Sequence, residues 1–143
     1  MIANIANQSL YYSLVFKNKK AIGLRDNQDG LVIGFKILRT IEFTSERRMM
    51  TVIVQSRRKK IFVFTKGADS AVLPLVDRNT LEDEKVEGMI RSVENFTHDN
   101  LRVMIYAYKE IKHFDTKTIE TMPIHSIEKD LKLIGVTGVK EQI

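Results

Sequence analysis

Apolar residues recur at spacings that change along the chain, and the changes divide it into elements. Ile2, Ala6, Leu10 and Leu14 stand four apart, which draws one stripe on a helix and predicts a first helix over 2–14. Phe35, Ile37, Ile41 and Phe43 occupy odd positions with Lys36, Thr40 and Glu42 between them, the period of two of a half-buried strand. Two runs rich in β-branched and aromatic residues, 51–55 and 61–66, flank the polar Ser56-Arg57-Arg58-Lys59-Lys60. That loop has hairpin length, so the runs are expected to pair antiparallel.

Between 81 and 97 the period lengthens. Val86, Ile90, Val93 and Phe96 or Thr97 fall on one face and most other positions are charged, which predicts a long amphipathic helix. Thr80, with Asp83 three residues on, is its expected N-terminal cap. Residues 103–111 read as a strand, 114–127 as a loop with short helical pieces, and 131–136 as a final strand. Strands grouped as a hairpin and flanked by helices, without a regular strand-helix-strand repeat, argue for the α+β class: a mainly antiparallel twisted sheet flanked by helices. No domain boundary shows over 1–143. The run Gly135 to Ile143 follows an apparent strand directly and reads as a chain that continues.

Composition narrows the options. The chain has 143 residues, 43% hydrophobic and 29% charged, with a net charge of +5, which is ordinary usage for one globular domain. Such a length buries about two thirds of its unfolded surface without disulfides or a structural metal. With no cysteine, disulfide frameworks, thiolate metal sites and cysteine nucleophiles are removed together, in keeping with a reducing compartment. No apolar run approaches the roughly 18 to 20 residues of a membrane helix, and no signal peptide shows, so the segment is expected to be soluble. Sequons at Asn7 and Asn95 carry no weight without a secretory signal.

Several chemistries lack their motif. There is no Gly-x-x-x-x-Gly-Lys-Ser/Thr loop, no Gly-x-Gly-x-x-Gly after a strand and no Gly-x-Ser-x-Gly elbow. His98, His113 and His125 are far apart and are expected to be solvated, and no metal site is expected. Three segments remain. Phe43 either continues the core face of Phe35, Ile37 and Ile41 or offers an exposed ring on which a nucleobase can stack. Lys66, delivered by an apolar strand and followed by Gly67 and Ala68, either closes the strand in a solvated turn or supplies a charge to a ligand that the small residues let approach. Arg102, where the long helix gives way to a strand, is either solvated or reaches an anion.

Taken together, these segments resemble the nucleotide-binding domain of P-type ATPases, and specifically the phospholipid-flippase class. Glu42-Phe43-Thr44-Ser45-Glu46-Arg47-Arg48-Met49-Met50-Thr51-Val52-Ile53-Val54 is similar to the flippase Glu-Phe-Thr-Ser segment with its basic pair and following strand. Lys66-Gly67-Ala68-Asp69 matches the family's Lys-Gly-Ala-Asp, and Asn100-Leu101-Arg102-Val103-Met104 resembles its Gly-Leu-Arg-Thr-Leu. The stretch from Ile127 to Val139 looks like the family's return to its phosphorylation domain, so the likeness covers about 31–143, with the return segment starting at about 131.

The resemblance implies that Phe43 stacks on adenine, Lys66 lines the cleft beside the nucleotide, Gly67 permits close approach and Arg102 reaches the phosphates. Ser45 would add a polar contact and Met50 would pack around the base. It also implies ATP as the substrate nucleotide and Mg2+ in the full-length parent. Phosphorylation, actuator and membrane domains would be partners in the same chain, and this domain would be the cytosolic part of an integral membrane flippase. One stack and one charge-assisted hydrogen bond together give an affinity near millimolar, on the order of 4 kcal/mol.

The family's phosphorylated Asp-Lys-Thr-Gly-Thr does not occur in this sequence, so the segment is not catalytic by itself. Other departures are the missing Pro-Asp-Glu, Asn100 in place of glycine, and Val139-Lys140-Glu141-Gln142-Ile143 where flippases have Ile-Glu-Asp-Lys-Leu-Gln. They leave open a regulatory or scaffold module with a vestigial site. Binding to nucleic acid or anionic membrane would rest on Arg57-Arg58-Lys59-Lys60, but a hairpin turn without interleaved aromatics is better read as solvated charge. No nucleic-acid partner is expected, and the segment is expected to be monomeric.

Overall fold

A computed structural model describes residues 12–18, 20–80, 83–113 and 115–140. Among these described residues seven strands run in chain order through a single sheet: β1 (Tyr12–Lys17), β2 (Ala21–Asp26), β3 (Val32–Ile41), β4 (Met49–Ser56), β5 (Ile61–Gly67), β6 (Arg102–Ile111) and β7 (Lys132–Val139). Every neighbouring pair is antiparallel. Between β5 and β6 lie the short helix α1 (Asp69–Val72), 3-10 turns at Leu73–Leu75 and Arg78–Thr80, and the long helix α2 (Glu84–His98). Between β6 and β7 lie α3 (Thr116–Ile119) and α4 (Ile124–Ile127). This is the α+β architecture that the pattern predicted.

Alternation in the strands sets the core. Along β5, Ile61, Val63, Thr65 and Gly67 are buried, whereas Phe62, Phe64 and Lys66 are half-buried on the opposite face. The buried face joins Ile53, Ile105 and Ala107 to Val72 of α1, Val86 and Val93 of α2, Ile119 of α3 and Ile127 of α4 in one cluster. Burying such aliphatic side chains stabilises the fold by about 1.5 to 3 kcal/mol each. The expected hairpin of β4 and β5 is present, turned by exposed Arg57, Arg58, Lys59 and Lys60, with Lys59 left-handed at φ 66°.

Two expectations need correction. The helix expected over 2–14 reaches the described residues only at 12–14, and there the chain is already strand β1; the remainder lies outside them. A spacing of four fits a strand as well as a helix, because Leu10, Tyr12, Leu14 and Phe16 also alternate with period two. The cap of α2 is Asp83, whose carboxylate accepts a hydrogen bond from the Lys85 amide at 2.8 Å. Thr80 instead donates its hydroxyl to the Asp77 carbonyl at 2.6 Å in the turn before.

At the other end of α2, Asn100 is left-handed at φ 58° while the Leu101 amide returns to the Phe96 carbonyl at 2.9 Å. Asparagine tolerates that backbone nearly as glycine does, which accounts for Asn100 where the family pattern has glycine. The segment between β6 and β7 is strapped to the sheet by cations. Arg39 donates to the Ile119 and Met122 carbonyls at 3.0 and 2.8 Å, and Lys109 to those of Ser126 and Lys129 at 3.1 and 3.0 Å.

Candidate functional site

Register places three candidate side chains in one row. Met50 on β4 is directly opposite Lys66 on β5, and Lys66 is directly opposite Tyr106 on β6. Opposed residues share a face, with strands about 4.8 Å apart, so Met50, Lys66 and Tyr106 stand side by side on the face away from the helical layer. Beside them runs an aromatic surface: Phe62 and Phe64 have ring centroids 6.2 Å apart, and Phe64 stacks on Tyr108 at 6.3 Å. From β7, the Thr137 hydroxyl donates to that of Tyr106 at 3.4 Å.

Lys66 is half-buried, and its ammonium pKa is lowered, first by the loss of water around it and then by the positive charge of Lys17. A partly desolvated lysine next to aromatic surface gains from any anion that replaces the missing water, and it can also donate to a heterocycle. Phe43 lies two residues past the end of β3 with 57% of its surface exposed, so it does not continue the core face of that strand. Ser45 is exposed in the same loop. Arg102 is exposed at the start of β6, on the same face as Tyr106 and four residues from it, about 13 Å along the strand.

The loop carrying Phe43 and Ser45 is fixed from below. The Arg47 and Arg48 amides donate to the Thr44 hydroxyl and carbonyl at 3.1 and 2.8 Å, and Arg48 turns left-handed at φ 55°. The Arg48 carbonyl then accepts the Ala68 amide at 3.0 Å. A side-chain carbon at Gly67 would stand 2.5 Å from that same carbonyl oxygen and 2.5 Å from Met49 Cβ. Gly67 is therefore required by the approach of β4 to the end of β5, a reason independent of any ligand.

Beneath the row lies a buried polar network that sequence reading missed. Arg47 grips Glu128 with two bonds, Nη1 to Oε1 at 2.7 Å and Nη2 to Oε2 at 3.2 Å. The Thr51 hydroxyl donates to Oε2 at 3.1 Å and lies 2.7 Å from the Thr65 hydroxyl. Glu128 is 3% exposed, and Thr51 and Thr65 are fully buried. Tyr106 was missed as well, because only strand register brings it beside Lys66. The sole sequence signal for the network was polar residues, Thr51 and Thr65, at core positions of otherwise apolar strands.

Among the described residues no group of histidine and acidic side chains is arranged to hold a metal, and no helix is long and apolar enough to cross a membrane.

The meander thus delivers Lys66 to its open face from the fifth strand, with the loop of Phe43 held between β3 and β4. A family model described as P-type ATPase, cytoplasmic domain N, matches residues 12–143, and the chain belongs to that family. The resemblance drawn from Phe43, Lys66 and Arg102 in their motifs is thereby borne out at the level of the family. The chain is 30% identical to phospholipid-transporting ATPase IG of Homo sapiens, in an alignment covering 99% of this chain and 14% of that protein. It is 27% identical to phospholipid-transporting ATPase 2 of Arabidopsis thaliana, over 97% of this chain and 14% of the relative. A calcium-transporting ATPase of Plasmodium falciparum is 29% identical over 73% of the chain and 9% of its own length. The chain thus spans about one seventh of the phospholipid-transporting relatives.

Proposed function

We propose that this domain binds ATP on the open face of the sheet and presents its γ-phosphate to an aspartate in a neighbouring domain of a phospholipid-translocating pump. The observation that carries the reading is the half-buried Lys66, set between Met50 and Tyr106 with its pKa lowered by desolvation. The exposed ring of Phe43 provides a stacking surface for adenine, Met50 packs against the base, and Ser45 offers a hydroxyl at the loop. Arg102, about 13 Å along β6 from the Lys66 row, reaches toward the phosphates, a span that suits an extended nucleotide. Mg2+ would be carried by the nucleotide and not by side chains of this domain, and would supply charge neutralisation on the phosphates.

The domain's contribution is positional. It converts encounter between ATP and a distant carboxylate into a reaction of held partners. The strand β7 and the residues after it lead toward the phosphorylation domain in this reading, and the actuator and membrane domains complete the parent. The phospholipid-transporting relatives support phospholipid as the transported substrate, with the domain on the cytosolic side.

Titration with ATP followed residue by residue by NMR tests the proposal, with GTP and AMP as comparison ligands. Saturable shifts centred on Phe43, Lys66 and Arg102, stronger for ATP than for GTP, with affinity near millimolar, are expected. A folded sample that stays silent at several millimolar would instead assign the domain a regulatory or scaffold role with a vestigial site.

A further inference from the structure

Both walls of the proposed cleft rest on one buried carboxylate, and we infer that Glu128 is a positioning residue that sets the loop of Phe43 and Ser45 relative to the strands of Met50 and Lys66. The inference rests on the nucleotide reading above, but its structural half stands on distances alone. One wall is the 43–48 loop, which Arg47 ties to Glu128 through its two bonds of 2.7 and 3.2 Å. Thr51 and Thr65 tie in the other: Thr51 donates to Glu128 at 3.1 Å and faces Thr65 at 2.7 Å. Met50 and Lys66 are their immediate chain neighbours, pointing to the opposite face of the same two strands.

Glu128 is itself held firmly. The carbonyls on either side of it, those of Ser126 and Lys129, accept from Lys109 at 3.1 and 3.0 Å, and Ile127 is fully buried. The carboxylate therefore enters the core from a fixed backbone and reaches under the site. Arg47 Nε is buried without an acceptor among the described residues, so the two bonds to Glu128 are what hold that guanidinium in place. A fork of two parallel bonds fixes orientation as well as distance, which a single lysine contact does not. Loss of the fork frees the 43–48 loop where it runs into β4, while the far phosphate end at Arg102 stays on β6, where Arg102 pairs with Val139 of β7.

The test compares Glu128→Gln with the wild-type domain. Glutamine keeps the shape and can still accept from Thr51, but it loses the charged fork. Backbone amide exchange, measured without nucleotide, should accelerate about tenfold at 44–48, with α2 and the β6–β7 pairing unchanged. AMP, which depends on the loop, should bind about tenfold more weakly, whereas inorganic tripolyphosphate should bind as before; a tenfold loss is about 1.4 kcal/mol. Arg47→Lys keeps a cation and breaks only the fork, and it should show the same pattern at about threefold if the glutamine variant does not fold.

Unchanged exchange at 44–48 in a folded variant would overturn the inference. So would equal weakening of AMP and tripolyphosphate, the mark of general destabilisation. A wild-type domain that binds neither ligand would overturn the nucleotide reading and with it this role. The wild-type titration thus separates the two failures.

Discussion

The hydroxyl oxygens of Thr51 and Thr65 lie 2.7 Å apart across β4 and β5, and only one order of donation satisfies both. Glu128, as a carboxylate gripped by Arg47, only accepts, so Thr51 donates its hydrogen bond to Glu128 and Thr65 must donate to Thr51. Thr51→Val takes a donor from Glu128 and strands the Thr65 hydroxyl in the core. Thr65→Val removes a single bond and leaves Thr51 donating to Glu128. Urea unfolding should show a loss of about 1 to 3 kcal/mol for the first and about 0.5 to 1.5 kcal/mol for the second. Equal losses, or the reverse order, would mean that the donation runs otherwise.

Two glycines should respond with opposite signs to the same substitution. At Gly67 a methyl group meets the Arg48 carbonyl oxygen and Met49 Cβ at 2.5 Å, so the backbone has to move, at a cost of about 1 to 3 kcal/mol or more. At Gly88, inside α2, nothing lies within 4 Å, and alanine should stabilise by about 1 kcal/mol through helix propensity. Thermal or urea unfolding of the pair checks this, and a neutral Gly67→Ala would show that the approach of Arg48 is not rigid.

Capping chemistry separates Asp83 from Thr80. Asp83→Ala removes the acceptor of the Lys85 amide and the negative charge at the N-terminus of α2, costing about 0.5 to 2 kcal/mol. The smaller loss belongs to Thr80→Ala, whose hydroxyl serves one carbonyl in the preceding turn. If Thr80→Ala proves the more damaging, the helix starts earlier than Glu84.

Lys66 also gives the fold a pH dependence of known sign. Burial, helped by Lys17, puts its pKa in the folded protein below the 10.5 of an unfolded lysine. Between those two values the unfolded chain holds more protons, so stability from this residue rises with pH across that window and its penalty is constant below it. In Lys66→Met that rise is absent. Unfolding curves from about pH 8 up to 10.5 for both proteins decide it, since parallel curves would deny the shift. Affinity for ATP should move the other way, falling as Lys66 loses its proton at a lower pH than an ordinary lysine would.

Legibility in the sequence followed the kind of contact involved. The β4–β5 hairpin and α2 were readable because period two and period 3.6 are local signals. Strand β2 was not, since Ile22, Gly23 and Leu24 are all buried and leave no alternation to read. The strand β1 was mistaken because a spacing of four satisfies both periods. For the candidate site, Phe43, Lys66 and Arg102 are singled out by residue type in their motifs. Tyr106 depends on strand register, and the bond from Arg47 to Glu128 joins residues 81 apart, where no local pattern reaches.

The strictly consecutive strand order has a consequence for assembly. From β1 to β5 each hairpin can form as soon as its second strand is available, with only short loops to close, which favours rapid early pairing there, whereas β6 and β7 must each close a longer, helix-bearing connection. The clasp between Arg47 and Glu128 must wait for nearly the whole meander, because its far partner lies just ahead of β7. The 43–48 loop is thus made early but locked late, so an interrupted or strained chain loses the shape of that loop before it loses the sheet.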